Sequence, residues 1–135
     1  RLKPKEVNIM SLTNTFETTV LTWLLTASSA TRPTSWYIGL FTAPPTDSGG
    51  GTEVSGVGYV RKAVTFTVTG DTASNSGAVE WPVAGGSWGT ITDLAIFDAV
   101  TAGNMIGYAT LTSAKTIATG DVFRIPLGDL DVTLD

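Results

Sequence analysis

The sequence contains neither cysteine nor histidine. The chain therefore cannot form disulfides, Ser-His-Asp or Cys-His catalytic groups, or zinc sites with nitrogen or sulfur ligands. Charge is also scarce: 15% of the residues are charged, with 8 basic and 12 acidic side chains and a net charge of −4. This balance argues against a nucleic-acid partner. A membrane partner is not expected either, because no apolar run approaches the roughly 18 residues of a membrane span.

Apolar residues are plentiful by comparison. They make up 42% of a chain of 135 residues, which is long enough for one domain and leaves an excess of apolar surface for a protein partner. The only locally basic stretch is the N-terminus, where Arg1, Lys3 and Lys5 precede Glu6. We expect residues 1–13 to form an arm that contacts a partner, and residues 14–135 to form a single domain.

A helix is predicted from Asn14 to about Ala27. Asn14 and Glu17 have the spacing of a capping box, in which the Asn side chain accepts an early backbone N–H. The apolar residues recur at helical spacing and are expected to face the core; they are Phe16, Val20, Leu21, Trp23, Leu24 and Leu25.

After Pro33 the hydrophobic period changes to that of strands. The segments "SWYIGLFT", "YVRKAVTFTV", "TITDLAIFD", "MIGYATL" and "VFRIPL" are separated by turn residues such as those of "AVTAGN". Short strands at this spacing predict a mainly β fold, an antiparallel β-sandwich or barrel-like single domain with one N-terminal α-helix.

Two of these strands carry expectations about their faces. In "YVRKAVTFTV" the alternation places Val60, Val64, Phe66 and Val68 on one face. At the C-terminus, Leu130, Val132 and Leu134 alternate with Asp129, Asp131, Thr133 and Asp135. The acidic face of that last strand is expected to lie in water.

Carboxylates are the remaining candidates for chemistry. Glu53, Glu80, Asp93 and Asp98 are interpreted as solvent-facing charges and turn caps rather than as a catalytic pair. Asp129, Asp131 and Asp135 share a strand face, but they lack the spacing of a calcium loop. We therefore expect no enzymatic activity, no metal and no cofactor.

The stretch "PPTDSGGGTEVSGVGY" from Pro44 to Tyr59 is rich in glycine. It matches neither a phosphate-binding P-loop nor a dinucleotide fingerprint, and no helix begins there. Long loops of this kind are commonly functional, so it is interpreted as a contact loop whose extended part pairs with a neighbouring subunit. The residues expected to touch a partner are Gly49, Gly50, Gly51, Thr52, Glu53, Val54 and Ser55. Trp88, flanked by glycines, is the candidate for an exposed ring that could bind a sugar.

Three longer stretches resemble a known family. They are "SWYIGLFTAPPTDSGGGTEVSGVGYVRKAVTF", "AVEWPVAGGSWGTITDLAIFDAVTAGNMIGYATL" and "GDVFRIPLGDLDVTLD". In this order they are similar to small virion proteins of tailed bacteriophages, over residues 11–135. The sequence departs from the family pattern at Ala102 to Asn104, where many members have two glycines. The resemblance implies a non-enzymatic particle subunit, because relatives include proteins described as tail fibre proteins and as head decoration (cement) proteins.

Physical arguments favour one location on the particle. Fibres are usually long and repetitive, whereas this chain is one domain without repeats. We therefore expect a capsid decoration protein on the capsid exterior that binds the major capsid protein as a homo-oligomer, with a trimer favoured. It would stabilise the shell by binding assembled subunits. A tail or tail-fibre protein that binds a glycan receptor is the alternative.

Overall fold

The computed structural model describes residues 11–133. They form one helix and eleven strands. In chain order these are β1 (Ser11–Leu12), α1 (Asn14–Leu25), β2 (Trp36–Ala43), β3 (Thr52–Glu53), β4 (Lys62–Val64), β5 (Phe66–Thr69), β6 (Thr72–Asn75), β7 (Val79–Glu80), β8 (Gly89–Phe97), β9 (Met105–Ile117), β10 (Arg124–Ile125) and β11 (Asp131–Thr133).

The largest sheet is antiparallel and has the order β1-β9-β8-β2-β3. Both β3 and β4 pair with β2, at different parts of that strand. Its centre is the β2–β8 pair, where Ile38 lies opposite Ile96 and Leu40 opposite Leu94. Strand β2 was predicted to be buried, and its middle four residues are. A strand can be apolar on both faces only where both faces are covered, so the sheet has cover on each side here.

The second layer consists of two small antiparallel sheets, β10-β7 and β11-β6-β5. The main core lies between this layer and the large sheet, where Leu40 and Leu94 of the large sheet share one cluster with Trp81 and Ile125. Trp81 meets Phe123 edge-on, with ring centroids 5.3 Å apart. The predicted fold class, a mainly β antiparallel sandwich with one N-terminal helix, is confirmed.

The other face of the large sheet has a smaller apolar cluster of Phe41, Ala95 and Phe97. The two phenylalanine rings are stacked, with centroids 6.1 Å apart and planes 9° from parallel. Their burial requires a cover that the second layer does not provide. Met105 and Tyr108 of β9 pack against the cluster, and Arg61 lies over the Phe97 ring. The glycine-rich loop and the turn between β8 and β9 lie beside it and form the candidate site described below.

The predicted capping box makes Asn14 the N-cap of the helix, but the N-cap of α1 lies one residue earlier. Thr13 is the N-cap, and its Oγ1 donates a hydrogen bond to the carbonyl of Met105 at 2.7 Å instead of capping the helix. The predicted role of Asn14 is therefore wrong, because Asn14 already lies in the first helical turn. Its backbone N–H donates to the carbonyl of Asp47 at 3.0 Å, so α1 is anchored at its start.

Two expectations about strand faces are also wrong. Asp129 and Asp131 are 7% and 8% exposed and do not face water. Asp131 lies opposite Ser74 in the sheet and accepts a hydrogen bond from its hydroxyl, and the turn before β11 folds over Asn75, whose Oδ1 accepts the Leu130 N–H. Asp135 and Leu134 lie outside the described residues.

The predicted alternation through "YVRKAVTFTV" fails because Thr65 separates β4 from β5. Val64 is buried, whereas Val60 and Val68 are 53% and 70% exposed. Across residues 11–133, no helix is both long and apolar enough to cross a membrane.

Candidate functional site

Three polar side chains of the glycine-rich region form a network on the outer face of the large sheet. Arg61 meets the Glu53 carboxylate with two parallel hydrogen bonds, Nε to Oε2 and Nη2 to Oε1, each 2.9 Å long. The Tyr59 hydroxyl donates to the same Oε2 at 2.7 Å. Bidentate Arg–carboxylate pairs are strong and fix the relative orientation of the two side chains. The network therefore holds β3 against the segment from Tyr59 to Arg61.

Tyr59 links this network to the core. Its hydroxyl accepts the backbone N–H of Leu40 at 2.9 Å, and its ring meets Trp88 edge-on with centroids 5.5 Å apart. Burial, followed by the hydrogen bond to Glu53, raises the pKa of Tyr59 far above its ordinary value. This hydroxyl therefore stays protonated at neutral pH, where it acts as a structural donor rather than as a base.

Arg61 also binds the turn between β8 and β9. Its Nη1 donates to the carbonyls of Ala99 and Ala102 at 3.0 and 2.8 Å, and its guanidinium carbon lies 3.4 Å from the centre of the Phe97 ring. A guanidinium over an aromatic face is attracted to the ring. One side chain thus joins β3, the outer apolar cluster and the β8–β9 turn.

Glycines allow this network to lie close to the backbone. A Cβ on Gly39, in the middle of β2, would be 2.8 Å from Glu53 Oε2 and 3.0 Å from the Phe97 ring. In the β8–β9 turn, Gly103 has a φ of +71°, and a Cβ there would be 2.5 Å from Asp98 Oδ1. Ala102 next to it has a φ of 53°, a left-handed conformation that is strained for alanine.

Trp88 is not an exposed ring, so its prediction as a sugar-binding surface is wrong. It is 4% exposed, and its indole N–H donates to the carbonyl of Val57 at 3.0 Å. The return of the glycine-rich loop covers it, since a Cβ on Gly56 would lie 2.3 Å from Trp88 Cδ1. Glycine at position 56 is needed for this close packing.

The central glycines of the loop border a cavity of about 390 Å³. Gly49, Gly50 and Gly51 all have positive φ, between 75° and 95°. The stacked phenylalanines, Arg61 and Asn104 also line the cavity. Glu53 and Arg61 neutralise each other within it, and the Asp47 carboxylate, which also lines the cavity, accepts a hydrogen bond from the Tyr108 hydroxyl.

The other loop residues predicted to touch a partner have mixed positions. Val54 is only 6% exposed, and its backbone N–H donates to the Leu40 carbonyl. Thr52 and Glu53 pair with β2 of the same chain. Because β3 lies at the end of the strand order and pairs with β2 on one side, the prediction that Thr52 to Ser55 pairs with a neighbouring subunit stays a prediction. Ser55 and the Thr52 side chain are exposed and stay predicted contacts.

The predicted basic contacts, Arg1, Lys3 and Lys5, lie outside the described residues. The network residues Tyr59 and Arg61 were not predicted as functional, although both belong to the quoted motif "GTEVSGVGYVR". The spacing of one Glu, one Tyr and one Arg in a region of small residues was the signal that could have identified them.

Helix α1 presents most of its apolar side chains to the surface. Phe16 is its one buried residue. The exposed fractions are 55% for Leu21, 64% for Trp23, 62% for Leu24 and 73% for Leu25, so the prediction that these residues face the core is wrong. The reason is that only the first turn of α1 is anchored to the sheets. We call these four residues the helix patch.

A second apolar surface opens between the two layers of the sandwich. It is a groove of about 420 Å³, which we call the sandwich groove. Its apolar lining comes from β2, β5, β6, β8, β9 and β11, and Arg32 also lines it. The side chains used below are Arg32, Trp36, Phe66, Val68, Ile106 and Val132.

These features define the chain as a small β-sandwich with large exposed apolar surfaces, and surfaces of this kind often mark interaction sites in soluble proteins. Comparison with protein families narrows this class. The family model of "Podophage GP4 fiber I protein gp80" matches residues 11–133, and the chain belongs to this family of phage virion structural proteins. The resemblance seen in the sequence is thereby confirmed, and a virion location follows from it. A search of curated proteins finds no match to the chain.

Proposed function

We propose that the chain is a non-enzymatic structural subunit on the exterior of a phage particle, where it joins protein subunits through exposed apolar surface. The observation that carries this proposal is the helix patch, in which four large side chains are 55–73% exposed. Large apolar side chains exposed close together in this way are typical of interaction sites in soluble proteins. The polar network on the outer sheet face supports the non-enzymatic role, because its charges bond to each other.

The description of the family favours a fibre as the location of this subunit. A single compact sandwich would form one unit of such a fibre rather than its whole length. We propose that the subunit assembles as a homo-oligomer. A trimer is the favoured state, because in a ring with closed rotational symmetry every copy makes the same contacts. The glycan-binding role rested on an exposed Trp88, and its burial removes that support.

Capsid decoration is the second candidate, as expected from the sequence. The compact fold, in which one sandwich accounts for all of residues 14–133 except α1 and its linker, favours it over a repetitive shaft. In this role the subunit would bind the major capsid protein on the capsid exterior. It would stabilise the shell by mass action, because it binds assembled subunits and not separated ones.

Copy number on the particle separates the two locations. Purified phage particles would be analysed by quantitative mass spectrometry, with the major capsid protein as the internal reference, and the subunit would be located by electron cryomicroscopy. A fibre predicts few copies at the tail or at defined vertices. Decoration predicts copies across the whole shell, and a lower bursting temperature for particles that lack the protein. Absence of the protein from purified particles would refute both.

A further inference from the structure

We infer that Leu134 continues β11 and covers the sandwich groove of its own chain. Leu134 is the first residue beyond the described range 11–133. The inference concerns how a single copy completes its core, so it goes beyond the proposed function and does not rest on it.

The alternation of side chains along β11 directs Leu134 toward the groove. Leu130, just before the strand, is fully buried in the main core, and Val132 packs against that core and lines the groove. Between these positions and Leu134 lies Thr133, whose hydroxyl is 3.4 Å from that of Thr72. Successive side chains of a strand point to opposite faces. A strand that continues one residue past Thr133 therefore places Leu134 on the face of Val132.

The pairing of β11 places that side chain over the exposed part of the groove. In the three-stranded sheet Val132 lies opposite Ala73, and Ala73 lies opposite Val68. All three line the groove, and Val68 is 70% exposed. Leu134 comes two residues later in the strand, about 7 Å beyond Val132, on the side of the turn between β5 and β6. A leucine there would shield the row formed by these three residues from water.

The lining of the groove suits an apolar occupant. Trp36, Phe66 and Ile106 all pack against the main core, yet each is only half-buried. Removal of such surface from water is favourable in proportion to the apolar area. Arg32 is compatible with this cover, because an arginine lays its aliphatic stem along apolar surface and keeps its guanidinium in water. A leucine therefore matches both the aromatic wall and the arginine stem.

Connectivity selects Leu134 over a side chain from another molecule. Leu134 follows Thr133 directly, and Thr133 is held by its pairing with Thr72. Docking of the next side chain orders little more of the chain, whereas a separate molecule loses translational and rotational freedom when it binds. A neighbouring copy would also need to bury roughly 800 Å² on each partner for a stable interface. A single tethered leucine has no such requirement.

The first test measures the accessibility of position 134 in the full chain. The chain has no cysteine, so Leu134→Cys introduces a single thiol whose rate of reaction with Ellman's reagent can be followed. Leu127→Cys is the matched control, because Leu127 is 65% exposed and does not line the groove. In the folded protein the thiol at position 134 should react at least about 10-fold more slowly than the control, and in urea the two should react alike. Equal rates in the folded protein would overturn the inference.

Thermal melting gives a second measurement that does not depend on thiol chemistry. Leu134→Ser removes the apolar side chain from the groove and should lower the Tm by roughly 5 °C or more. Leu127→Ser makes the same change at an exposed residue and should shift the Tm by less than about 2 °C. If the two variants melted at the same temperature, Leu134 would not cover the groove.

NMR of the wild type identifies both the surface and the copy that make the contact. Nuclear Overhauser effects should join the Leu134 methyl groups to Ile106 or Val68 in the groove, and their absence would overturn the inference. In a mixture of two differently isotope-labelled copies, these effects should occur only within one copy. Effects between copies would show that a neighbouring chain supplies the leucine, which overturns the inference and leaves the proposed function intact.

Discussion

Arg61→Ala would remove four hydrogen bonds and one ring contact that together join β3, the glycine-rich loop and the β8–β9 turn. The side chains of Arg61 and Glu53 are 10% and 25% exposed, so the substitution leaves a largely buried carboxylate without its cation. Removal of one partner from a buried ion pair costs about 3–5 kcal/mol. The residual exposure of Glu53 places the expected loss near the lower limit, about 3 kcal/mol.

This loss can be measured by urea denaturation followed by tryptophan fluorescence, because Trp88 lies beside the network through Tyr59. For a domain of this size, it corresponds to a decrease in Tm of about 10 °C. Arg61→Lys should recover little of the loss, since an ammonium cannot reproduce the two-pronged pair and the carbonyl contacts together.

The chain offers a matched control in a second Arg–Glu pair. Arg124 Nε lies 3.4 Å from Glu80 Oε2, and these side chains are 51% and 59% exposed. Exposed pairs contribute about 0–1 kcal/mol, so Arg124→Ala should lower the free energy of unfolding by less than about 1 kcal/mol. Equal losses in Arg61→Ala and Arg124→Ala would refute the view that the Arg61 network holds the outer sheet face together.

Three further predictions concern the same region. The pKa of Tyr59 is raised in the folded state, so the contribution of Tyr59 to stability is complete below the ordinary tyrosine pKa of about 10 and declines above it by about 1.4 kcal/mol per pH unit. The free energy of unfolding of Tyr59→Phe should therefore decline less steeply at alkaline pH than that of the wild type. An unchanged slope would contradict the assignment. Ala102→Gly should raise the free energy of unfolding by about 0.5–1 kcal/mol, because glycine relieves the strain of the left-handed φ. Gly103→Ala should lower the free energy of unfolding, and thermal melting measures both variants. Stabilisation by both substitutions would be inconsistent with the turn geometry. Gly56→Ala should cost about 1–3 kcal/mol through overpacking against Trp88, visible as a shift in tryptophan emission, and wild-type emission with wild-type Tm would rule out that contact.

Much of the architecture was predictable from local pattern. The segments "SWYIGLFT" and "TITDLAIFD" were predicted to be strands, and they form the central β2–β8 pair. The turn "AVTAGN" was predicted to join two strands, and it joins β8 to β9. Such features depend on hydrophobic period and turn chemistry, which act over a few neighbouring residues.

The exposure of particular side chains was much less predictable. Leu24 and Trp88 are both large apolar residues, yet the first is exposed and the second buried. Helical spacing indicates which residues share a face, but it does not state whether anything packs against that face. In α1 only the first turn meets the sheets, and no local pattern reveals this.

The sequence by itself determined the class of fold, the absence of histidine and cysteine chemistry, and the family to which the chain is similar. Only the tertiary structure decided the role of the glycine-rich loop, because Glu53, Tyr59 and Arg61 act on partners far along the chain, such as Ala99 and Ala102. Long-range contacts of this kind depend on how strands are ordered in the sheet, which short-range periodicity does not encode. The same ordering left α1 with its leucines exposed and made the helix, rather than the loop, the principal candidate for subunit contact.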